Sequence, residues 1–261
     1  MKKLGTQFGV AVLSTLSLLS VAPSSAQAAD LSLRKDLLDT FTDQFVQTER
    51  KAFDELALPQ LDTSNLYWDG EGSVDVFFID EGAAYKNQLL FSANDGPLKT
   101  IFENVSSKES TLASDDGVLD LGEGKSLMSF SEPTQLSFFI KANGFNGGKN
   151  IFGADAYANT KVGGKDVNTD GLSHLIAYEY FDEVEQENYT IIGFEDLWGE
   201  KGATGGKNQN SDRDFNDVVF AVRGLTYGKP DSKEVPEPSA LLGLLGITLL
   251  GGKSLKRKLA A

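Results

Sequence analysis

The feature that most constrains this chain is a set of short runs in which every second residue is apolar, each closed by Gly, Asn or Asp. Val74, Val76 and Phe78 alternate with Ser73, Asp75 and Phe77 behind the turn Asp69-Gly70-Glu71-Gly72. A period of two is the strand period, because successive side chains point to opposite faces. Residues 87–93, 135–141, 174–181, 188–194 and 217–223 read as further strands. Between them stand Asn94-Asp95-Gly96-Pro97, Asp115-Asp116-Gly117, Asn143-Gly144, Asn168-Thr169-Asp170-Gly171 and a Gly-, Asn- and Lys-rich loop at 199–211. Gly accepts positive φ, while Asn and Asp bond their own backbone, so these stretches are turns with a mechanism. Several strands with no long helix between them predict a mainly β chain, an antiparallel β-sandwich of jelly-roll-like type. Glycine, 27 of 261 residues, exceeds the usual ~7% and agrees with many turns.

One segment breaks the period. Between 30 and 58, Leu37, Leu38, Phe41, Phe45, Ala52, Phe53 and Leu56 recur at intervals of three and four among charged residues, up to Pro59. That spacing predicts a single N-terminal amphipathic helix stopped by the proline. Its apolar face has to be covered, and packing on the following domain is the expectation. Docking to a partner or a membrane is the alternative, and the mixed-sign polar face argues against a membrane.

Composition closes off several chemistries. There is no cysteine, which excludes disulfides, thiolate metal sites and a Cys nucleophile, and the one histidine, His174, excludes a His-rich metal site. The net charge is −14, and it is uneven. Two bases and no acids lie in 1–28, and four bases and no acids in 239–261. The stretch between therefore holds 18 bases against 38 acids, a net of −20. Such a body repels nucleic acid and anionic lipid, and attracts divalent cations or cationic partners. Solubility of an exported protein explains the same acidity.

Both ends look like addresses. Lys2 and Lys3 precede an apolar stretch from about Phe8 to Val21, and Ala26-Gln27-Ala28 fits the small-x-small cleavage pattern of a secretory signal peptide. The stretch is short of the ~20 apolar residues of a membrane anchor, so cleavage after Ala28 or Ala29 is expected. At the other end, Pro236-Glu237-Pro238 precedes an uncharged run at 239–252 and the basic cluster Lys253, Lys256, Arg257 and Lys258. As a helix the run reaches about 21 Å at 1.5 Å per residue, against a hydrocarbon core of ~30 Å. It suits a short or temporary anchor, and having no polar face it is less suited to a domain helix. The three-part order resembles the PEP-CTERM sorting signal. The resemblance implies recognition and removal of the tail by exosortase, a membrane protease-transpeptidase. It also implies a Gram-negative-type host, often one that makes extracellular polysaccharide.

The densest chemistry is Glu195-Asp196 and, after the loop, Asp212-Arg213-Asp214-Phe215-Asn216-Asp217. Ca²⁺ takes six to eight oxygens from carboxylates, amides, backbone and water. Asp212, Asp214 and Asn216 at alternate positions can turn three oxygens inward, with Asp217 at the mouth of one strand and Glu195 or Asp196 at the end of another. The opening is like an EF-hand loop but is not one: Asp217 stands where Gly is needed and Arg223 where Glu is needed. Asx-turns and strand caps explain the same residues without a metal.

The phrases Ala177-Tyr178, Gly193-Phe194-Glu195-Asp196-Leu197 and Ser211-Asp212-Arg213-Asp214-Phe215-Asn216-Asp217-Val218-Val219-Phe220 resemble the C-terminal part of domain of unknown function 4114. The run from Val76 to Leu89 is similar to the opening of the same kind of exported protein, so the resemblance spans roughly 67–225. It implies a bacterial extracellular protein joined to sorting or adhesive modules, and it supplies no catalytic residues. The expected division is a signal peptide at 1–28, a helix and linker at 29–66, a β-sandwich at 67–228, and a linker with sorting tail at 229–261. The expected function is non-enzymatic: an exported protein of the surface or matrix, binding polysaccharide or a surface protein, with calcium in its acidic loop. The membrane enters only through the short C-terminal helix before cleavage. A secreted glycoside hydrolase using Glu195, Asp196, Asp212 and Asp214 is the competing class, but it lacks aromatic platforms beyond Trp68 and Trp198. His174 is expected to be a hydrogen-bonded sheet-edge residue in preference to a general base.

Overall fold

A computed structural model describes residues 31–46, 58–109, 117–127, 130 and 132–230. The cleavage residues Ala26 and Ala28, the helix expectation over 47–57, the sorting residues Pro236, Glu237 and Pro238, and the C-terminal helix lie outside them.

Among the described residues the chain is mainly antiparallel β, with one α-helical segment beside three single 3-10 turns. Helix α1 spans Lys35–Phe41 and runs on into a π-helical turn, Thr42–Val46. Fifteen strands follow among the described residues. The first five are β1 (Leu66–Trp68), β2 (Asp75–Asp80), β3 (Asn87–Ala93), β4 (Lys99–Val105) and β5 (Gly124–Ser126). Next come β6 (Thr134–Lys141), β7 (Ile151–Phe152), β8 (Thr160–Val162), β9 (Lys165–Val167) and β10 (Leu175–Asp182). The last are β11 (Glu187–Phe194), β12 (Thr204–Gly205), β13 (Asn208–Gln209), β14 (Val218–Arg223) and β15 (Thr226–Tyr227). One sheet has the order β15-β1-β6-β3-β4, with β7 also on β6, and the other β10-β11-β14-β2-β5. Among the described residues no helix is long and apolar enough to cross a membrane.

The two sheets face each other across one core. Leu89 and Phe91 of β3, Leu136, Phe138 and Ile140 of β6, Val76 and Phe78 of β2, and Val218, Phe220 and Val222 of β14 belong to it. Phe102 of β4 stacks on Phe220 of β14, ring centres 5.8 Å apart, which joins the layers directly.

Both outer faces are covered too. Leu37, Phe41, Phe45 and Val46 lie on Phe77, Ile79, Tyr189, Ile191, Val219 and Ala221, the outward residues of the second sheet. The helix therefore packs on the domain that follows it, as its apolar face required. On the first sheet, Phe139 and Leu90 are covered by Tyr157, Val162 and Val167 of the β7–β9 region. A strand covered on both sides has no polar face, so all six residues of β2 are buried, charged Asp75 and Asp80 included.

The helix begins later than its spacing predicts. Residues 31–34 are not helical: the Leu33 N–H donates to the Gly122 carbonyl (2.8 Å) and the Gly124 N–H to the Leu31 carbonyl (2.7 Å). These bonds draw the segment alongside the start of β5, where it satisfies an otherwise open edge. Arg34 then pins the helix start, donating to Asp182 at 2.9 and 3.0 Å. Leu58 is not helical either, as expected for the residue before Pro59, where the ring clashes with an α backbone.

Candidate metal centre

Strand pairing gathers the acidic residues. β11 and β14 are antiparallel neighbours with Phe194 opposite Val218, so the residue that follows β11, Glu195, and the one that precedes β14, Asp217, meet at one end of the sheet. β2 pairs with the other side of β14 and brings Asp80 and Glu81 to the same end. His174 arrives there just ahead of β10. The 199–211 loop that separates the two halves is itself folded into the β12–β13 hairpin.

The predicted ligands separate into two groups. Carboxylate oxygens of Glu195, Asp212 and Asp214 lie within 4.8 Å of one another, ranging from fully buried Glu195 to exposed Asp212. Asp196, the next residue after β11, is held by other partners. Its backbone N–H donates to Asp217 Oδ2 at 2.7 Å, and its Oδ2 accepts from Asn87 Nδ2 at 2.8 Å. Asn216 caps the loop, its N–H donating to Asp214 Oδ1 at 3.2 Å. The Gly82 N–H holds the turn by donating to the carbonyls of Asn216 and Asp217, at 3.0 and 3.2 Å.

The local backbone is costly. Asn210, Arg213 and Phe215 all have positive φ, 60°, 54° and 61°, a region that costs a side-chain-bearing residue roughly 1–2 kcal/mol. The loop also presses on β11: a Cβ on Gly193 would stand 2.4 Å from the Phe215 carbonyl oxygen, so only glycine fits there.

The electrostatics follow from burial. Desolvation raises the Glu195 carboxyl above its ordinary range, opposed by a Ser211 hydrogen bond and reinforced by Asp212. Asp196 and Asp217 are raised for the same first reason; the charge of Glu195 adds to both, and that of Asp196 adds to Asp217. Glu195 Oε1 accepts a long bond from the Leu197 N–H (3.4 Å), whereas its buried Oε2 has no hydrogen bond at all. A buried carboxylate oxygen left so is expensive and calls for a cation or a proton.

His174 is committed elsewhere. Fully buried and stacked on Phe152 with ring centres 3.8 Å apart, it places Nδ1 2.9 Å from the Glu195 carbonyl and Nε2 2.8 Å from Asp170 Oδ2. The Gly199 N–H donates to that same Asp170 oxygen at 3.0 Å. His174 thus ties the Asp170 turn to both sides of the Glu195 strand end. Asn87, Asp170 and Ser211 are the supporting residues that spacing did not reveal. Asn87 reaches Asp196 across 109 residues of chain, a contact only the tertiary fold creates. Trp68 is not available to a ligand, being buried with its Nε1 donating to the Glu71 carbonyl at 3.0 Å. Trp198 is half-buried.

Residues 130–225 match the family described as domain of unknown function (DUF4114), and residues 234–258 match the PEP-CTERM protein-sorting motif. The first match takes in β6 through β14 and the whole acidic loop, while the run from Val76 to Leu89 lies outside it. No curated protein matches the chain. Among solved structures, it is similar to a Ralstonia solanacearum high-affinity mannose-binding lectin at 14% identity, over 63% of this chain and 91% of that one. The TM-score is 0.26, a likeness too distant to carry an argument. A PEP-CTERM motif marks export to the cell envelope or surface and processing by exosortase. The chain therefore holds a segment that matches DUF4114, followed by one that matches the PEP-CTERM sorting motif.

Proposed function

We propose that this chain is a non-enzymatic binding protein of the cell surface or extracellular matrix, stabilised by calcium in its acidic loop. The observation that carries the reading is Glu195 Oε2, buried without a hydrogen bond beside Asp212 and Asp214. The donors there are all hard oxygens, which suits Ca²⁺ and does not suit a softer metal. Glu195, Asp212 and Asp214 supply the first three ligands, with the Asn216 amide, backbone carbonyls and water available to complete six to eight. Exposed Asp212 gives the ion a way in. Bound cation would hold the raised carboxyls ionised and offset the strain at Arg213 and Phe215.

The facing sheets support a jelly-roll-like antiparallel β-sandwich, a frame that positions loops at its ends. Before exosortase acts, the uncharged segment at 239–252 anchors the chain in the inner membrane for a time. At the surface the domain engages extracellular polysaccharide or a surface protein. Luminescence of Tb³⁺, a Ca²⁺ analogue sensitised by Trp198, tests the ion site. Emission should appear on titration, be displaced by Ca²⁺, and vanish in Asp212→Asn/Asp214→Asn. Emission retained by that double variant overturns the calcium reading. Turnover on a glycoside panel that is lost in Glu195→Gln overturns the non-enzymatic one.

A further inference from the structure

A second, smaller feature adjoins the acidic loop. A cavity of about 190 Å³ opens between the 143–150 turn and the β12–β13 hairpin, lined by Tyr85, Asn143, Gly148, Lys149, Asn150 and Gln209. Its two walls are built from the segments that hold the acidic residues. On one side the Asn143 N–H donates to Asn87 Oδ1 (2.8 Å), and the other end of the Asn87 amide bonds Asp196. On the opposite side Gln209 is fixed twice: its Oε1 accepts from the Trp198 N–H at 2.7 Å, and its Nε2 donates to the Tyr85 hydroxyl at 3.0 Å. The turn itself depends on glycine, because a Cβ on Gly148 would stand 2.0 Å from the Ala142 carbonyl oxygen. Lys149 and Asn150 are exposed, and neither side chain bonds anything among the described residues.

We infer that this cavity is a saccharide subsite, taking one hydroxyl-rich sugar ring of a glycan between Tyr85, Asn150 and Gln209. The chemistry of the lining selects that class. No carboxylate lines the cavity, so it is not a cation site. Lys149 is its one positive group, set in a body of net charge −20, which disfavours a polyanion. Its only apolar surface is Ala142 and the ring of Tyr85, too little for an apolar ligand. What remains is a wall of amides beside a phenol. The Asn150 amide presents a donor and an acceptor side by side, which matches neighbouring hydroxyls that each donate and accept. The Gln209 amide, held by Trp198 and Tyr85, has its second N–H and second lone pair left over. The Tyr85 ring offers a flat face for the C–H side of a sugar. The volume is below the ~300–1,000 Å³ of drug-sized pockets, room for one ring, with the rest of a chain running out past exposed Asn146 and Phe145.

The inference rests on the binding role proposed above and is separable from the calcium site. Saturation-transfer NMR on the purified protein in Ca²⁺ would use methyl hexopyranosides and N-acetylglucosamine as probes, with glycerol as the polyol control. Transfer is expected to at least one hexose and not to glycerol. Asn150→Ala, which breaks no bond of the fold, should weaken that transfer at least tenfold, and Tyr85→Ala should do the same. Transfer to no hexose, equal transfer to glycerol, or transfer indifferent to Asn150→Ala overturns the inference. Thermal melting with and without Ca²⁺, run on the same samples, keeps the two readings apart. An intact calcium shift without saccharide contact sinks the subsite alone, and saccharide contact without a calcium shift sinks the calcium site alone.

Discussion

Replacing Glu195 by Gln should reverse the sign of its effect on stability according to whether calcium is present. The side chain is fully buried and keeps its shape, while its charge is lost. Extracellular calcium modules bind at ~10⁻⁴–10⁻³ M, so 10 mM free Ca²⁺ stands roughly 10- to 100-fold above Kd. Binding only to the folded form then stabilises wild type by about 1.4–2.7 kcal/mol. For a domain of this size each kcal/mol moves Tm by roughly 2–4 °C, which makes the expected rise about 3–11 °C. In chelator, by contrast, Glu195 stands within 4.8 Å of two other carboxylates. At an effective dielectric of 20 such a pair repels by ~3 kcal/mol, which solvent around exposed Asp212 screens to below ~1 kcal/mol, less than the calcium gain. Glu195→Gln removes that repulsion and the uncompensated charge, so its Tm in chelator should exceed wild type. In 10 mM Ca²⁺ it should fall below, because the shift is lost. Differential scanning calorimetry of the four combinations reads both signs. A calcium shift that survives Glu195→Gln, or a wild-type Tm indifferent to calcium, refutes the reasoning.

Glu195, Asp196 and Asp217 have raised folded values, so their contribution is present below the unfolded carboxylate range and lost as pH rises through those values. The metal-free Tm should therefore fall between pH 5 and pH 8, and Ca²⁺, which takes the ionised forms, should flatten that slope. Asp75 and Asp170 are lowered and act in the opposite sense, but only below pH 4, outside the window. Phe41→Ala empties the contact with Tyr180, Phe45 and Tyr189, ring centres 5.1, 5.6 and 5.9 Å away, and should cost about 3–5 kcal/mol in urea unfolding. A loss below 1 kcal/mol would mean the helix does not stay docked in solution. Deleting residues 235–261 in the native host should move the protein from the envelope to the medium, read by fractionation and the mass of the mature chain. An unchanged distribution would count against sorting by the tail.

What the sequence disclosed follows a physical divide between local and distant determinants. The runs at 87–93, 135–141, 188–194 and 217–223 correspond to β3, β6, β11 and β14 within a residue at each end, because each carries its own apolar pattern and its own turn. β4 escaped, since Lys99, Thr100, Glu103 and Asn104 hide Ile101 and Phe102 among polar neighbours. In β2, alternation was only half of the pattern: Phe77 and Ile79 are apolar as well, because α1 covers the outer face. The helix starts late because 31–34 are claimed by backbone bonds to Gly122 and Gly124 that periodicity does not encode. At the acidic loop, Glu195, Asp212 and Asp214 were legible as a dense local phrase. Their separation from Asp196 and Asp217 was not, because it depends on which way each side chain turns once Asn87 arrives from another sheet.

The pairing of β2 with β14 sets a clock on synthesis. Asp75 faces Arg223, 148 residues later in the chain, so the apolar run Val76–Phe77–Phe78–Ile79 is made long before its main partner exists. At ~5–20 residues per second the wait is roughly 7–30 s. β1 waits as long for β15, which pairs Leu66 with Tyr227. A chain wired in this way cannot close its core while it is still being made, and non-local pairings of this kind form slowly even afterwards. For a protein bound for export that delay has a use. A chain that stays open until residue 227 is complete can still be threaded through a membrane, and the carboxylates of Glu195, Asp212 and Asp214 come together only once it has crossed.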